Sequence, residues 1–421
     1  MWKYRCKSQL ITLLVAFGLG AVLSLFTWKS NLGFYQSVLS EEMFEMISGN
    51  QILICISGGL GIAGFANVFL ISRLLMSQFN LSPIIIFFAL FLFPDYILIA
   101  GVIMVIPMLI ASIYGMISLK YDISRESANQ KLASQQELVR IYSIHHKLDE
   151  SVKPLAEACR KNVDKMTYLY ILGLVAIACI IIFVDNYLIW MIALFGFMYI
   201  FNVLLRYRAQ SVMPINALLY DKCDPEACAS AIIYFSTKRG KIKIKNQILM
   251  AQCLIYLDDP QLAQDFLITY PRKDASSSLT YWSLMAYINY LLKDEDALHR
   301  CKEEAGKIRL GMGQTGVMIQ SAEQASIQNK IDLMDGEFNT CKKFYLQVLQ
   351  QSQFNFQIVD ASYYIALISF VEEDYVVAQV YFNKVLQLGN KTCFVKKAQH
   401  YQDQIDAMHL NLESEESEFT A

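Results

Sequence analysis

Residues 82–118 read SPIIIFFALFLFPDYILIAGVIMVIPMLIASIYGMIS, 37 positions with one strongly polar break, Pro94-Asp95. A helix crosses roughly 30 Å of hydrocarbon in about 20 residues, so this stretch is too long for one crossing. Proline resists helix interiors, and a carboxylate at mid-bilayer costs about 3 kcal/mol. Both are tolerated at a tip in the interface. The stretch therefore predicts two antiparallel helices, 78–93 and 96–118, which either span twice or form a shallow re-entrant hairpin.

Working outward, charge is also absent from 8–28, 51–72, 166–184 and 186–205. Asp185-Asn186 is a second tip of the same kind. The count is six spans, and the positive-inside rule tests it. With the N-terminus inside, the inner segments before the C-terminal half hold fifteen Lys/Arg, nine of them in 119–166. The outer segments hold Lys29 alone, against Glu41, Glu42, Glu45, Asp95 and Asp185. Five spans would put the nine-cation loop outside. The expected organisation is spans 1–4 in 1–118, a cytosolic helical loop 119–166, spans 5–6 in 167–205, a linker 206–220, a helical domain 221–410 and an acidic tail 411–421. Both termini are then cytoplasmic and the chain sits in the plasma membrane. The basic start followed by Leu10–Phe26 is read as an uncleaved first span, because the apolar run is long and no small-x-small site follows.

The chain has 421 residues, 55% hydrophobic and 18% charged, with a net charge of −2. That excludes disorder and nucleic-acid binding by bulk positive charge. The ten cysteines show no zinc-type spacing, which fits a reducing cytosol.

Beyond residue 220 the apolar residues recur at helical spacing, and Asp224-Pro225-Glu226 is a helix start. A repeat follows. Small residues Ala263, Ala297, Cys341 and Ala378 mark the second helix of successive hairpins, 34, 44 and 37 residues apart. Over about 243–390 this resembles the tetratricopeptide repeat. The resemblance implies an all-α solenoid whose concave face takes a protein or peptide. Residues 394–409 read as its capping helix. The whole layout is similar to uncharacterised polytopic membrane proteins of Gram-positive bacteria that carry a cytosolic repeat tail.

Several motifs have two readings. Gly59-x-Gly61-x-x-Gly64 matches the dinucleotide fingerprint, but no acid follows at the right distance. As a membrane helix it offers the small-residue pairs Ser57/Gly61 and Gly59/Ala63, and Ala16/Gly20/Ser24 offers the same surface in the first span. These faces are expected to pack helices and to bind other membrane proteins. Gly311-x-Gly313-x-x-Gly316 reads as a hairpin connection. Asn67 and Asn202 read as interhelical hydrogen-bonding residues. His145-His146 reads as a solvated pair, since neighbours on a helix face different ways. Lys238, Arg239, Lys241, Lys243 and Lys245 form the one dense basic run, expected to touch anionic lipid at about 1 kcal/mol per residue. No aromatic platform accompanies it, which argues against nucleic acid. No catalytic or metal constellation emerges, and no cofactor is implied. The expectation is a membrane scaffold or adaptor. The alternative is a transporter or export-machinery subunit with a regulatory repeat domain.

Overall fold

Apolar runs without β-branched alternation or turn residues fold as long helices. α1 (Cys6–Ser30) and α2 (Gln51–Gln78) are the first two. The computed structural model describes residues 2–30, 36, 41, 44–45, 50–78, 89, 92–129, 134–183, 187–238, 240–310 and 314–419. They form two compact units, one of 1–132, 271–282 and 303–324, the other of 133–270, 283–302 and 325–421.

In the first unit α1 and α2 meet backbone to backbone. A Cβ on Gly20 would strike the Gly58 carbonyl oxygen and come 2.9 Å from Gly59 Cα. α3 (Pro94–Ile103) and α4 (Val105–Asn129) follow. A Cβ on Gly101 of α3 would lie 2.7 Å from the Gly64 carbonyl of α2. Asn67 Nδ2 donates to the Gly101 carbonyl at 2.9 Å, an interhelical bond as expected. Asn202 instead donates to the Met198 carbonyl of its own helix, 2.9 Å away. Ala16, Ala63 and Val105 form the buried centre, with Phe17 and Leu60 around it. α3 and α4 are bent by 45° at Met104. Pro107 explains the break: its ring lacks an N–H and crowds the carbonyl four residues back, at Ile103.

The span count needs correction. Among the described residues two helical stretches, Cys6–Trp28 and Ile52–Leu75, are long and apolar enough to cross a membrane. A third joins them if the bent pair Tyr96–Ile103 and Val105–Tyr121 is one span. Most of the expected span 78–93 and the tip Asp185-Asn186 lie outside the described residues. α2 is helical without interruption through Gly59, Gly61 and Gly64. The strand–turn–helix that a dinucleotide fingerprint requires is therefore not there.

The second unit opens with α5 (Gln135–His145), α6 (Lys153–Phe183) and α7 (Tyr187–Gln210). The stretch read as a linker, 206–220, is helical except at Ser211 and Val212, since α8 (Met213–Tyr220) follows directly. Then come α9 (Pro225–Ser236), a two-residue hairpin β1 (Thr237–Lys238) and β2 (Lys241–Ile242), α10 (Gln247–Tyr256) and α11 (Pro260–Ile268). α12 (Ala275–Leu292), α13 (Glu295–Gly306), α14 (Gln314–Asp335), α15 (Phe338–Gln351), α16 (Asn355–Val371), α17 (Tyr375–Leu388) and α18 (Cys393–Phe419) complete the chain. The described residues are all-α apart from that small hairpin. α18 runs on through the stretch read as an acidic tail, as far as Phe419. Gly311 and Gly313 lie outside the described residues.

One turn recurs five times. A helix ends in a residue with positive φ: Cys223 (52°), Asp258 (64°), Lys293 (59°), Gly336 (79°) or Glu373 (62°). The next residue is the N-cap of the following helix, Asp224, Asp259, Asp294, Glu337 or Asp374. The cap amides of Asp259, Asp294, Glu337 and Asp374 donate five residues back, at 2.8–2.9 Å, closing a Schellman turn. Each Asp carboxylate also accepts from an amide three residues on, for example Asp294 from Ala297 at 2.9 Å. Four residues past the cap the side chain is buried: Cys228, Ala263, Leu298, Cys341 and Ala378. The expected anchor Ala297 is therefore displaced by one position, to Leu298. The cap also shows a first hairpin, α8 with α9, upstream of the sequence repeat.

A lysine lies inside this unit. Lys330 is 4% exposed. Its Nζ sits 3.8 Å from the Tyr287 ring centre and 4.1 Å from that of Tyr364, and donates to the Tyr345 hydroxyl at 2.9 Å. Tyr364 donates to the Tyr287 hydroxyl (3.2 Å), which donates to Asp360 (2.5 Å). Burial pushes the Lys330 ammonium down to about 8, opposed by Asp360. Burial likewise raises Asp360, opposed by Lys330 and the Tyr287 hydroxyl. The ring faces stand in for the water the cation has lost.

Candidate membrane-contact site

α6 carries two kinds of surface on one helix. In its first part Ala156, Cys159 and Val163 are buried. Arg160 donates from one guanidinium nitrogen to the Tyr234 carbonyl (3.3 Å) and to the Thr237 carbonyl, at the end of α9. A cation at the negative end of a helix dipole is favourable, and it satisfies carbonyls that the helix leaves open. From Met166 onward no charge occurs, and Tyr168, Leu172 and Val175 are more than half exposed.

The basic run folds at the junction between these two parts. Lys238 pairs with Lys241 across the hairpin, and Gly240 takes a φ of +76° to turn the chain. Arg239 lies outside the described residues. Lys238 Nζ stands 3.3 Å from Asp164 Oδ2, two residues before the apolar part of α6 begins. Lys238, Lys241, Lys243 and Lys245 are all exposed. Alternation does the placing: Ile244, between Lys243 and Lys245, is buried, and its amide donates to Gln135 of α5 at 3.0 Å. Lys245 also lies over the Phe235 ring, 4.9 Å from its centre. Beside the hairpin is an open groove of about 650 Å³, lined by Arg140 of α5, by Lys153, Glu157 and Arg160 of α6, and by Tyr234 and Ile242. The excess of cations and the aliphatic walls suit a phosphate-bearing headgroup.

The small-residue faces divide. Gly59 and Ala63 are buried, Gly59 against Phe17, and Ala16 and Gly20 are consumed in the same α1–α2 contact. These four pack helices within the chain. Of the faces expected to bind other membrane proteins, only Ser57 and Gly61 are exposed, and a Cβ on Gly61 would meet nothing within 4 Å.

The histidine pair is also revised. α5 stops at His145 and His146 is extended, so the neighbours no longer face apart. Both rings reach Asp259, and the His146 side chain is 16% exposed, so it is not a solvated one. Burial opposes ionisation of Asp259, but donation from His146, His145 and the Leu262 amide outweighs it and holds the pKa at about 2. No disulfide occurs among the described residues. Sequence reasoning missed the His–Asp contact and the Lys330 cage because each joins residues far apart in the chain. No family model, curated relative or solved structure matches the chain.

Proposed function

We propose that this chain is a multi-span membrane scaffold. Its tetratricopeptide-like hairpins present a cytosolic surface to a protein partner, and both termini are cytoplasmic. One observation carries the reading: α6 is a single helix packed into the hairpin unit by its first half and apolar and outward-facing in its second. A continuous helix transmits orientation, where a flexible linker would not. The apolar halves of α6 and α7 serve in this reading as the last two spans. The basic hairpin then lies at headgroup level and holds the unit against an anionic inner leaflet. Val376 and Val380, 73% and 62% exposed one turn apart on α17, mark an apolar strip for the partner. A transport reading would use Asn67 or Asn202 as ligands, and both are engaged in helix hydrogen bonds.

The test is photocrosslinking in intact cells. A photoreactive side chain at Val376 or Val380 should yield a discrete adduct with a cytosolic protein, lost on Val376→Glu. Adducts with lipid alone, or none, reject the scaffold reading. Hydrogen exchange of the full chain in nanodiscs tests the orientation. Protection at 237–245 should be greater in anionic than in zwitterionic lipid, and the excess should vanish when Lys238, Lys241, Lys243 and Lys245 are changed to Gln.

A further inference from the structure

Adjacent histidines on a helix diverge, and a lone pair of them makes a poor metal site. At the end of α5 the backbone changes that. His146 leaves the helix with φ −130° and ψ 147°, which swings the two rings onto one point. His145 Nδ1 lies 2.8 Å, and His146 Nε2 3.3 Å, from the same oxygen, Asp259 Oδ2. The three ligand atoms all lie within 4.8 Å of one another. They coincide through different ring nitrogens, Nδ1 for the first and Nε2 for the second. We propose that His145, His146 and Asp259 form a site for a divalent transition-metal ion of the zinc class.

The geometry is close to what such an ion needs. Bonds of about 2.0–2.2 Å in a tetrahedral arrangement place ligand atoms roughly 3.3–3.6 Å apart. The His146–Asp259 edge has that length. The His145–Asp259 edge is at hydrogen-bond length and opens when the ion takes the place of the shared proton. A carboxylate only accepts, so in the empty site both facing nitrogens carry protons. Metal entry needs the lone pair of each facing nitrogen, so the proton of each ligating ring then resides on its far nitrogen.

The surroundings hold the ligands in place. Asp259 is the N-cap of α11, and its other oxygen accepts from the Leu262 amide at 3.2 Å, which fixes the carboxylate. The Tyr142 ring lies 5.1 Å from the His146 ring and limits its rotation. Such supporting contacts tune affinity by about 10–100-fold in known metal sites. Two imidazoles and one carboxylate suit zinc and its neighbours. Calcium or magnesium would want more oxygen ligands. The His145 side chain is 50% exposed, which gives an entry path and leaves the fourth position to water. An ion here would join the end of α5 to the start of α11.

The test is titration of the full chain in detergent with Co²⁺, followed by displacement with Zn²⁺. The expected result is one equivalent of Co²⁺ per chain, with visible d–d bands and no thiolate charge-transfer band, released by Zn²⁺. The double change His145→Gln, His146→Gln should weaken binding by about 100-fold or more, since it removes two ligands where loss of a supporting contact alone costs about 10–100-fold. Asp259→Asn keeps an oxygen for the Leu262 amide and should weaken binding while leaving the metal-free helicity unchanged. If that variant unfolds, the histidine pair decides. Absence of stoichiometric binding by the unaltered chain, or equal binding by the histidine variant, overturns the proposal and leaves a hydrogen-bonded helix cap.

Discussion

Along α1, α2 and α3 the closest contacts are made by backbone, at Gly20 against Gly58 and at Gly101 against Gly64, with one amide hydrogen bond from Asn67. Along the hairpins of the second unit the closest contacts are made by side chains. Tyr345 stacks on Tyr364 at 5.0 Å, Phe382 on Tyr401 at 5.5 Å, and Ala378 and Cys341 are wholly buried. With the first unit in lipid and the hairpins in water, as proposed, the solvent explains the contrast. Lipid tails are as apolar as leucine, so a membrane helix gains little by hiding a large side chain and associates through close approach. In water each square ångström of apolar surface removed is worth about 25 cal/mol, so large rings collect in the core. The capped turns belong to the same logic. Water competes for every helix end, and the recurring Asp caps satisfy donors that would otherwise be open.

The hairpin unit should respond most strongly to substitution. Ala378→Glu places a carboxylate where no water reaches, and should destabilise the full chain in detergent by more than about 4 kcal/mol. Urea unfolding followed by helical ellipticity measures it. An effect below 1 kcal/mol, by the ordinary range of surface changes, would remove Ala378 from the core. The glycine contact comes next. Gly20→Leu meets backbone that has no room to yield, and should weaken α1–α2 association by about 3 kcal/mol. Gly18→Leu is the control, because a Cβ there meets nothing within 4 Å. Resistance to unfolding in denaturing detergent compares the two. Equal behaviour would mean that close approach does not hold this pair.

The smallest effect is a slope. Lys330 has a folded pKa of about 8, against about 10.4 for a lysine in the unfolded chain. Between those values the unfolded chain binds one more proton, so stability should rise with pH, by at most about 1.4 kcal/mol per unit. Above about 10 the buried tyrosines, raised by burial, act in the opposite sense. Lys330→Met should abolish the rise between pH 8 and 10 in a urea–pH series. A variant with the same rise would place the titration elsewhere.

Much of this was legible in composition and period. The charge-free runs at 8–28 and 51–72 fall in α1 and α2. Pro94, expected at a hairpin tip, is the first residue of α3, as its fixed φ allows. Asp224 caps its helix, and Asn67 bonds across helices. The small-residue spacing also marked three of the five capped turns, at Ala263, Cys341 and Ala378. A small-residue anchor misplaced the second hairpin by one position, at Ala297 for Leu298. An acidic cap behind a positive-φ residue, Asp at four turns and Glu337 at the fifth, aligns all five and reveals the one at Asp224. Those five turns share a backbone conformation, and their residues (Cys-Asp, Asp-Asp, Lys-Asp, Gly-Glu, Glu-Asp) look unrelated until that conformation is seen.

The all-α class, the apolar helices and the basic run between α9 and α10 could be read from residue order alone. These follow from local spacing, because helix period, capping and charge act over a few residues. Packing chose which glycines are spent inside the chain, made α6 unite a packed half with an apolar half, and brought Lys238 to Asp164. It also decided that His145 and His146 converge on Asp259, 113 positions beyond His146, and that Lys330 is enclosed by tyrosines from three other helices. Those outcomes depend on chain closure over long separations, where the geometry of packing, and no local period, chooses the neighbour.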